Sequence, residues 1–424
     1  MFGWEFPPHI TGGLGTACYG LTKGLLKHHV EVLFVVPKAY GDESQEAVRL
    51  INASDINIDF SSSIYQEYWK QLTYIEVGSN LIPYVGEDEF VRITFQNQLD
   101  KKTEEHSIFS KQYAFSGKYG KNLMEEVTRY ALVASSIAAS SQFDLIHAHD
   151  WLTYPAGMAA KKVSGKPLVV HMHATEFDRS GEHINQNVYD IERKGMEAAD
   201  AVITVSNYTK DIVVNRYGIN SDKVFTVHNA VEYYGDKTKS VERSVKEKVV
   251  TFLGRITFQK GPDYFVEAAK KVIDKDDNVR FVMAGSGDMF NRMIMRVAQL
   301  GISTKFHFTG FLKGDEVDKM FALSDVYVMP SVSEPFGISP LEAMRAEVPV
   351  VISKQSGVSE VLKYAIKIDF WDIDAMADAI YGLLHYDALS KVFAEKGREE
   401  VINLKWDNAA AKVKDIYNNM IIQK

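Results

Sequence analysis

The chain has very little cysteine: Cys18 is the only one among its 424 residues. An internal disulfide is therefore excluded, and we expect a protein of a reducing compartment, the cytoplasm. No run of apolar residues approaches the roughly 20 that a membrane helix needs, so we expect no membrane span. Acidic residues outnumber basic ones, 56 against 48, for a formal net charge of −8. That balance argues against a nucleic-acid-binding protein that depends on bulk positive charge.

Short, continuous apolar runs alternate with helical patterns through most of the sequence. Such runs predict strands that are buried on both faces, as in parallel sheets covered by helices. A chain of this length is too long for one core, so we predict an α/β fold with two successive doubly wound, Rossmann-like domains. The runs are VEVLFVVPK, DLIHAH, PLVVHMHA, DAVITVS and KVFTVHNA in the first half, and KVVTFLG, VRFVMAG, KFHFTG, DVYVMP and VPVVIS in the second.

The polar, charge-rich stretch 233–248 predicts a linker between the domains. We therefore expect a first domain at 1–232, with an insertion at about 40–120, and a second domain at 249–400. A C-terminal helix at 401–424 could pack on either domain. Since a doubly wound domain begins with a buried strand, we also expect that only the end of this strand is present at the start of the chain.

Aromatic residues are frequent in the predicted insertion. They could form a platform on which an oligosaccharide stacks, or they could simply pack in the core. These residues are Tyr65, Tyr68, Trp69, Phe90 and Tyr113.

The glycine-rich stretch TGGLG lies at residues 11–15, directly before a helical pattern. Free backbone N–H groups at a helix N-terminus favour an anion, and Gly12, Gly13 and Gly15 would let it approach closely. A tight turn without a ligand remains the alternative. The dinucleotide fingerprint fails because Cys18 occupies the place of its last glycine, and no Gly-Lys-Ser/Thr follows for a P-loop.

Two further loops follow predicted strands of the second half. In FLGRITFQKGPDY, Arg255 and Lys260 suit a diphosphate, although surface cations in a loop are common. In SVSEPFGISPLE, Glu334 lies in a loop before Gly337, where a carboxylate can hold sugar hydroxyls. Glu342 could act similarly, or it could complete a capping box with Ser339 as the N-cap.

Two histidine pairs have the period-two spacing of strands, so each pair shares one face. They are His147 with His149, and His171 with His173. Zinc binding by these four histidines and Asp150 is one interpretation. Hydrogen-bonded or substrate-binding histidines are the other, and His149 and His173 lie nearest the carboxyl ends of the strands, where open α/β sheets bind ligands.

Together, these motifs resemble those of the retaining, nucleotide-sugar-dependent glycosyltransferases of the GT-B fold. TGGLG, HAHDW, LGRITFQKG and EPFGISPLE occur in the order that the family uses, and the match covers nearly the whole chain. Within the fold, the glycogen and starch synthase group is most similar. The resemblance implies two Rossmann-like domains that face an interdomain cleft. It also implies a hexosyltransferase that moves glucose from ADP- or UDP-glucose to an oligo- or polysaccharide acceptor.

The resemblance also implies residue roles. Arg255 and Lys260 would neutralise the leaving diphosphate, so that neither a metal nor a cofactor is implied. Glu334 would hold hydroxyls of the hexose, Glu342 those of the ribose, and His173 would lie beside the anomeric carbon. The other implied substrate contacts are Gly12, Gly13, Gly15, His149, Gly337, Ile338 and Ser339.

The chain departs from bacterial glycogen synthases at two places beside the glycine-rich turn. Ile10 stands where those enzymes carry a lysine, and Thr16 where an acidic residue usually follows. The departures leave the donor nucleotide open. Three other interpretations stay open with it: a retaining GT-B transferase with a small-molecule or cell-surface glycan acceptor, a sugar-nucleotide epimerase, and a non-catalytic sugar-binding protein.

Overall fold

The computed structural model describes residues 1–9, 12–43, 48–58, 112–117, 123–231 and 245–422. Two sets of parallel strands, one in each half of the chain, form the cores of two domains. The predicted α/β fold is therefore confirmed. Most of the predicted linker and insertion lies outside the described residues, as do Ile10 and four of the five insertion aromatics.

Among the described residues, the first domain has six strands and six α-helices. Its strands are β1 (Leu33–Val36), β2 (Arg49–Asn52), β3 (Ile146–His149), β4 (Leu168–Met172), β5 (Ala201–Thr204) and β6 (Val224–Thr226). Its helices are α1 (Gly13–Lys27), α2 (Leu123–Ser140), α3 (Tyr154–Ser164), α4 (Glu176–Ser180), α5 (Gln186–Ala198) and α6 (Asn207–Tyr217).

Residues 245–422, the described part of the second half, contain six more strands and seven α-helices. The strands are β7 (Lys248–Leu253), β8 (Val279–Ala284), β9 (Phe306–Gly310), β10 (Val326–Met329), β11 (Val350–Ser353) and β12 (Ile366–Ile368). The helices are α7 (Pro262–Ile273), α8 (Phe290–Gln299), α9 (Asp315–Leu323), α10 (Ser339–Arg345), α11 (Ile373–His385), α12 (Asp387–Ile402) and α13 (Trp406–Ile422).

The start of the chain forms a short strand between β1 and β3. Phe2 makes parallel bridges to Val35 on one side and to Ala148 on the other. Its backbone N–H donates to the His147 carbonyl at 2.8 Å, and the Val35 N–H donates to the Met1 carbonyl at 2.8 Å. Residues 1–3 thus join the β1–β2 pair to the β3-β4-β5-β6 sheet, and the glycine-rich turn follows a strand as a doubly wound fold requires.

Successive residues of the first sheet face opposite helix layers. Val170 and Val202 pack into the core under α2 and α3, whereas Val169 and Ile203 pack into the core that α1 and α13 cover. Tyr113 of the predicted insertion is 9% exposed and belongs to the first of these cores, so this aromatic ring packs rather than forming an exposed platform.

The C-terminal helix α13 returns to the first domain, which settles the alternative that the sequence leaves open. It packs against α1, where glycines leave room for it. A Cβ atom added at Gly20 would lie 2.3 Å from the Trp406 ring, and one at Gly24 would lie 2.7 Å from the Ala410 Cβ. The chain therefore enters the second domain once and crosses back at its end.

The second sheet has the strand order β12-β11-β10-β7-β8-β9. The chain runs outward from β7 through β8 to β9, then returns to the other side of β7 with β10. The carboxyl ends of β7 and β10 are therefore the switch point of this sheet, where open α/β sheets bind ligands. The loops that follow these two strands are 254–261 and 330–338.

Candidate active site

The loop after β7 carries the two predicted cations. Arg255 is exposed, and no carboxylate among the described residues pairs with it. Lys260 ends a 3₁₀ turn and is followed by Gly261 at φ +65°. A Cβ atom at Gly261 would lie 2.1 Å from the carbonyl oxygen of Pro330, so only glycine lets the β7 and β10 loops approach this closely. Pro262 then begins α7.

The loop after β10 holds Glu334 rigidly. Its side chain is 5% exposed, and it accepts hydrogen bonds from Lys260 Nζ at 2.5 Å and from Ser331 Oγ at 3.2 Å. Its backbone N–H donates to the Gln355 carbonyl at 3.0 Å, and its carbonyl accepts from the Gly357 N–H at 2.9 Å. A predicted sugar-binding carboxylate and a predicted phosphate-binding cation are thus ion-paired with each other.

The capping box predicted at Ser339 is wrong. Ile338 is the N-cap of α10 and Ser339 is already its first helical residue, with no side-chain cap bond. The Ser339 hydroxyl instead accepts a hydrogen bond from the Tyr327 hydroxyl at 2.7 Å. Glu342 therefore does not complete a capping box with Ser339.

Glu342 is half-buried, and the described residues provide no hydrogen bond to its carboxylate. Burial raises its pKa, Arg345 opposes this rise, and Asp318 adds to it. Arg345 pairs with Asp318 at 3.0 Å. Glu342 is thus a carboxylate with free acceptor capacity, as hydroxyl binding requires.

The glycine-rich turn of the first domain faces this loop. Gly12 is the N-cap of α1, as the sequence predicts, and both Gly12 and Gly13 are exposed. A Cβ atom at Gly13 would lie 3.8 Å from Ile338 Cδ1. Gly15 is buried within the first turn of α1. The first turn of α1 in the first domain thus lies against the loop before α10 in the second domain.

The histidines lie beneath α1 at the ends of β3 and β4. His149 Nδ1 and His173 Nε2 are 3.0 Å apart. His149 has no exposed surface, whereas His173 is half-buried. Burial lowers the pKa of both imidazoles, and for His173 the Asp150 carboxylate opposes this effect. Both rings are therefore neutral at pH 7, and His173 is the one that a substrate can reach.

The backbone around His173 is fixed by groups that the sequence analysis missed. Asp150, at φ +61°, accepts from the backbone N–H of His173 at 2.9 Å. The guanidinium of Arg179 donates to the Ala174 carbonyl at 2.9 Å. It also pairs with the buried carboxylate of Glu192. The charged run EFDR directly after a buried strand was the available signal, because buried charges require partners.

Contacts between the domains were also missed. The Ser333 hydroxyl donates to Asp178 Oδ1 at 2.5 Å and lies 2.9 Å from the Tyr208 hydroxyl. The Ser206 hydroxyl donates to the Pro335 carbonyl at 2.5 Å. The residues on either side of Glu334 are thus attached to the first domain, so the cleft position of Glu334 depends on both domains.

None of the described helices combines the length and the apolar character that crossing a bilayer requires.

Two sequence families match the chain, one in each domain. Glycosyl transferases group 1 matches residues 236–400, and Glycosyltransferase Family 4 matches residues 101–233. An uncharacterised glycosyltransferase of Methanocaldococcus jannaschii is 28% identical over 446 residues, which covers 98% of this chain and 97% of that protein.

Two named enzymes are similar at lower identity or over less of the chain. Glycogen synthase of Mycobacterium tuberculosis is 22% identical over 434 residues, covering 98% of this chain and 93% of that protein. UDP-Gal:alpha-D-GlcNAc-diphosphoundecaprenol alpha-1,3-galactosyltransferase of Escherichia coli is 25% identical over 302 residues, covering 67% and 77%.

Solved structures share the fold. Sucrose-phosphate synthase from Thermosynechococcus elongatus has a TM-score of 0.70 at 17% identity, covering 98% of this chain and 95% of that one. The catalytic domain of Starch Synthase IV from Arabidopsis thaliana, bound to ADP and acarbose, has a TM-score of 0.68 at 15% identity, covering 99% and 98%. These similarities confirm the predicted GT-B fold. Each domain thus matches one of these two glycosyltransferase families, and the chain is a retaining, nucleotide-sugar-dependent glycosyltransferase.

Proposed function

We propose that the protein transfers glucose from ADP- or UDP-glucose to the end of a glucan chain, as a glycogen synthase does. One observation carries this proposal: the exposed start of α1 at Gly13 lies against Ile338, beside the paired Lys260 and Glu334. An anion-binding turn, a cation and a carboxylate therefore line one cleft. Similarity to glycogen synthase over nearly the whole of both chains supports the glucan acceptor.

In this proposal the leaving diphosphate lies between the start of α1 and the loop after β7. Arg255, exposed and without a carboxylate partner among the described residues, is the first cation available to it. Lys260 is the second. Two fixed cations at the place where negative charge develops are the main electrostatic requirement of this reaction.

The donor's hydroxyls are assigned to the two carboxylates. Glu334 would accept from the hexose and Glu342 from the ribose. Glu334 is nearly buried and Glu342 half-buried, and low solvent exposure strengthens hydrogen bonds to a ligand relative to those formed in water. The exposed backbone of Gly12 and the residues from Gly337 to Ser339 complete the proposed donor site.

We propose that the acceptor hydroxyl attacks the anomeric carbon from the face that the diphosphate leaves. The bond to the diphosphate oxygen breaks, the bond to the acceptor oxygen forms, and the acceptor proton passes to the departing oxygen. His173 would donate a hydrogen bond to the transferred sugar from its side chain or backbone. Isolation of a covalent sugar adduct on Glu334 would contradict this mechanism.

A second candidate is transfer to a small-molecule or cell-surface glycan acceptor. The similarity to the Escherichia coli galactosyltransferase supports it, at a higher identity than glycogen synthase but over less of the chain. The departures at Ile10 and Thr16 support it also, since they separate the chain from the glycogen synthases beside the proposed diphosphate site.

A donor-by-acceptor screen tests the proposal. ADP-, UDP- and GDP-sugars are each combined with glycogen, with small sugars and with lipid-linked glycans, and release of the nucleoside diphosphate is measured. We expect release from ADP- or UDP-glucose that depends on glycogen. Release only with a non-glucan acceptor would replace the first candidate by the second.

Matched variants test the cation assignment. Arg255→Ala and Lys260→Ala should each lower kcat about 100-fold, the usual loss when one group that stabilises developing charge is removed. Lys391→Ala is the control, because this lysine is exposed on α12 and pairs only with a glutamate of the same helix. Unchanged turnover in either cleft variant would contradict the role of that cation.

A further inference from the structure

Cys18, His149 and His173 place three possible metal ligands together beneath α1. The thiol sulfur and one ring nitrogen of each histidine all lie within 4.8 Å of one another. His149 Nδ1 and His173 Nε2 are only 3.0 Å apart. Cys18 and His149 are at most 1% exposed, whereas His173 is half-buried at the cleft and provides the side from which an ion can enter.

These groups match the preferences of zinc. Thiolate and imidazole are its usual ligands, and three protein ligands with an open fourth position are typical of sites that keep a water or substrate. Around zinc the nitrogen and sulfur atoms would stand about 3.3–3.6 Å apart, so small side-chain rotations would bring this set together. We propose that Cys18, His149 and His173 form a transition-metal site that takes Zn²⁺ and closes the catalytic cleft to substrate.

Nearby carboxylates favour a dication at this position, because the negative charges of Asp150 and Glu5 act on the Cys18 sulfur and would stabilise a bound cation. An arriving zinc ion displaces the thiol proton, which leaves to solvent, while each neutral imidazole keeps one proton on its other nitrogen. Binding therefore weakens as the pH falls.

A neighbouring triad, His147, His149 and His171, is a poorer site. Its three rings stack with interplanar angles between 16° and 30°. The lone pair of an imidazole nitrogen lies in the ring plane, so nearly parallel rings do not direct their lone pairs at one point. This triad also lacks an anionic ligand to offset the charge of a buried dication.

The consequence for activity rests on the proposed function. Zinc bound at His173 would place an ion beside this ring, where the transferred sugar would lie. Zinc should therefore act as a reversible inhibitor that chelators remove.

Cobalt binding tests the site without reference to activity. The full chain, freed of metal and kept reduced, is titrated with Co²⁺ and then with Zn²⁺. Because Cys18 is the only cysteine, a thiolate-to-cobalt charge-transfer band identifies this site. We expect one equivalent, displacement by zinc, loss of the band in Cys18→Ala, and at least tenfold weaker zinc binding by that variant. No band, or zinc binding unchanged in Cys18→Ala, would overturn the proposal.

The activity measurement separates the two proposals. Without metal, Cys18→Ala should turn over like the wild type, since Cys18 has no role in the proposed transfer reaction. Its inhibition constant for zinc should be at least tenfold higher. Zinc that binds at Cys18 without inhibiting an active enzyme would overturn the claim that it blocks the cleft. If no donor and acceptor pair reacts, the proposed function fails, while the cobalt spectrum still decides the metal site.

Discussion

Acidification should destabilise this protein through three histidines that α1 and α13 cover. His147, His149 and His171 are at most 2% exposed, and burial is the main reason that their pKa values lie well below 6.5. In the unfolded chain the same side chains titrate near pH 6.5. Between pH 7 and pH 5.5 the unfolded state therefore takes up protons that the folded state excludes, and the free energy of unfolding falls as the pH falls.

The expected size follows from the unfolded-state titration. Each of these histidines contributes at most about 1.3 kcal/mol over that interval, and the three together at most about 4 kcal/mol. That is a large part of the 5–15 kcal/mol by which folded domains are usually stable. Glu192 acts with the opposite sign, because burial raises its pKa to about 7 and the folded state then takes up a proton as the pH falls. The wild-type curve alone therefore does not isolate the histidines.

A comparison of variants does isolate them. His171→Gln cannot ionise, so the stability that it loses between pH 7 and pH 5.5 should be smaller than the wild-type loss by about 1.3 kcal/mol. Urea unfolding in the presence of a chelator measures both. His183→Gln is the control, since His183 is exposed in the folded protein as in the unfolded chain. Parallel curves for the wild type and His171→Gln would refute the reasoning, because they would mean that folded His171 binds its proton.

Three more predictions concern backbone approach and domain contacts. Gly165→Ala, at φ +66° in open space, should lower the free energy of unfolding by about 1 kcal/mol. Gly261→Ala, at φ +65° against a carbonyl oxygen, should lower it by at least about 3 kcal/mol. Equal losses in urea unfolding would contradict the close approach at Gly261. Gly20→Leu should force α13 away from α1 and lower the free energy of unfolding by about 1–3 kcal/mol. An unchanged midpoint of thermal unfolding would contradict the packing of α13 on α1. Ser333→Ala removes the hydroxyl that donates to Asp178 between the domains. We therefore expect a larger radius of gyration in solution scattering and a raised KM for the donor. Scattering identical to that of the wild type would show that this hydrogen bond does not hold the two domains together.

The sequence predicted ten of the twelve described strands, because those ten are continuous apolar runs. The two that were missed, β2 and β12, lie at the edges of their sheets, and both have short, mixed patterns with exposed residues. Strand β2 lies within the range predicted to be an insertion. A C-terminal helix was also predicted, but its partner was not. The partner depends on Gly20 and Gly24, whose four-residue spacing on α1 makes the groove that Trp406 enters.

The candidate site was predictable where one loop carries the chemistry, and not where two distant segments meet. Arg255 and Lys260 share one loop, and the glycines and the proline of that stretch predict where the loop begins and ends. Asp178 and Ser333 are 155 residues apart. The sequence around each residue accounts for its presence there without a contact between the two. Asp178 caps its own helix with Thr175, so the sequence offers no sign that its second oxygen accepts from the other domain.

The ion pair of Lys260 with Glu334 connects the two halves of the proposed donor site. In the structure Lys260 pairs with the carboxylate of Glu334, a residue that is 5% exposed. While they are paired, the lysine is less available to a phosphate and the carboxylate is less available to a sugar hydroxyl. A diphosphate that attracts Lys260 would release acceptor capacity on Glu334 at the moment when sugar hydroxyls arrive. Removing Lys260 leaves the nearly buried Glu334 without its cation, and an uncompensated buried charge commonly costs about 3–5 kcal/mol. The loss in a Lys260 variant therefore includes the disturbance of Glu334, and only the exposed Arg255 reports the electrostatic contribution of a single cation.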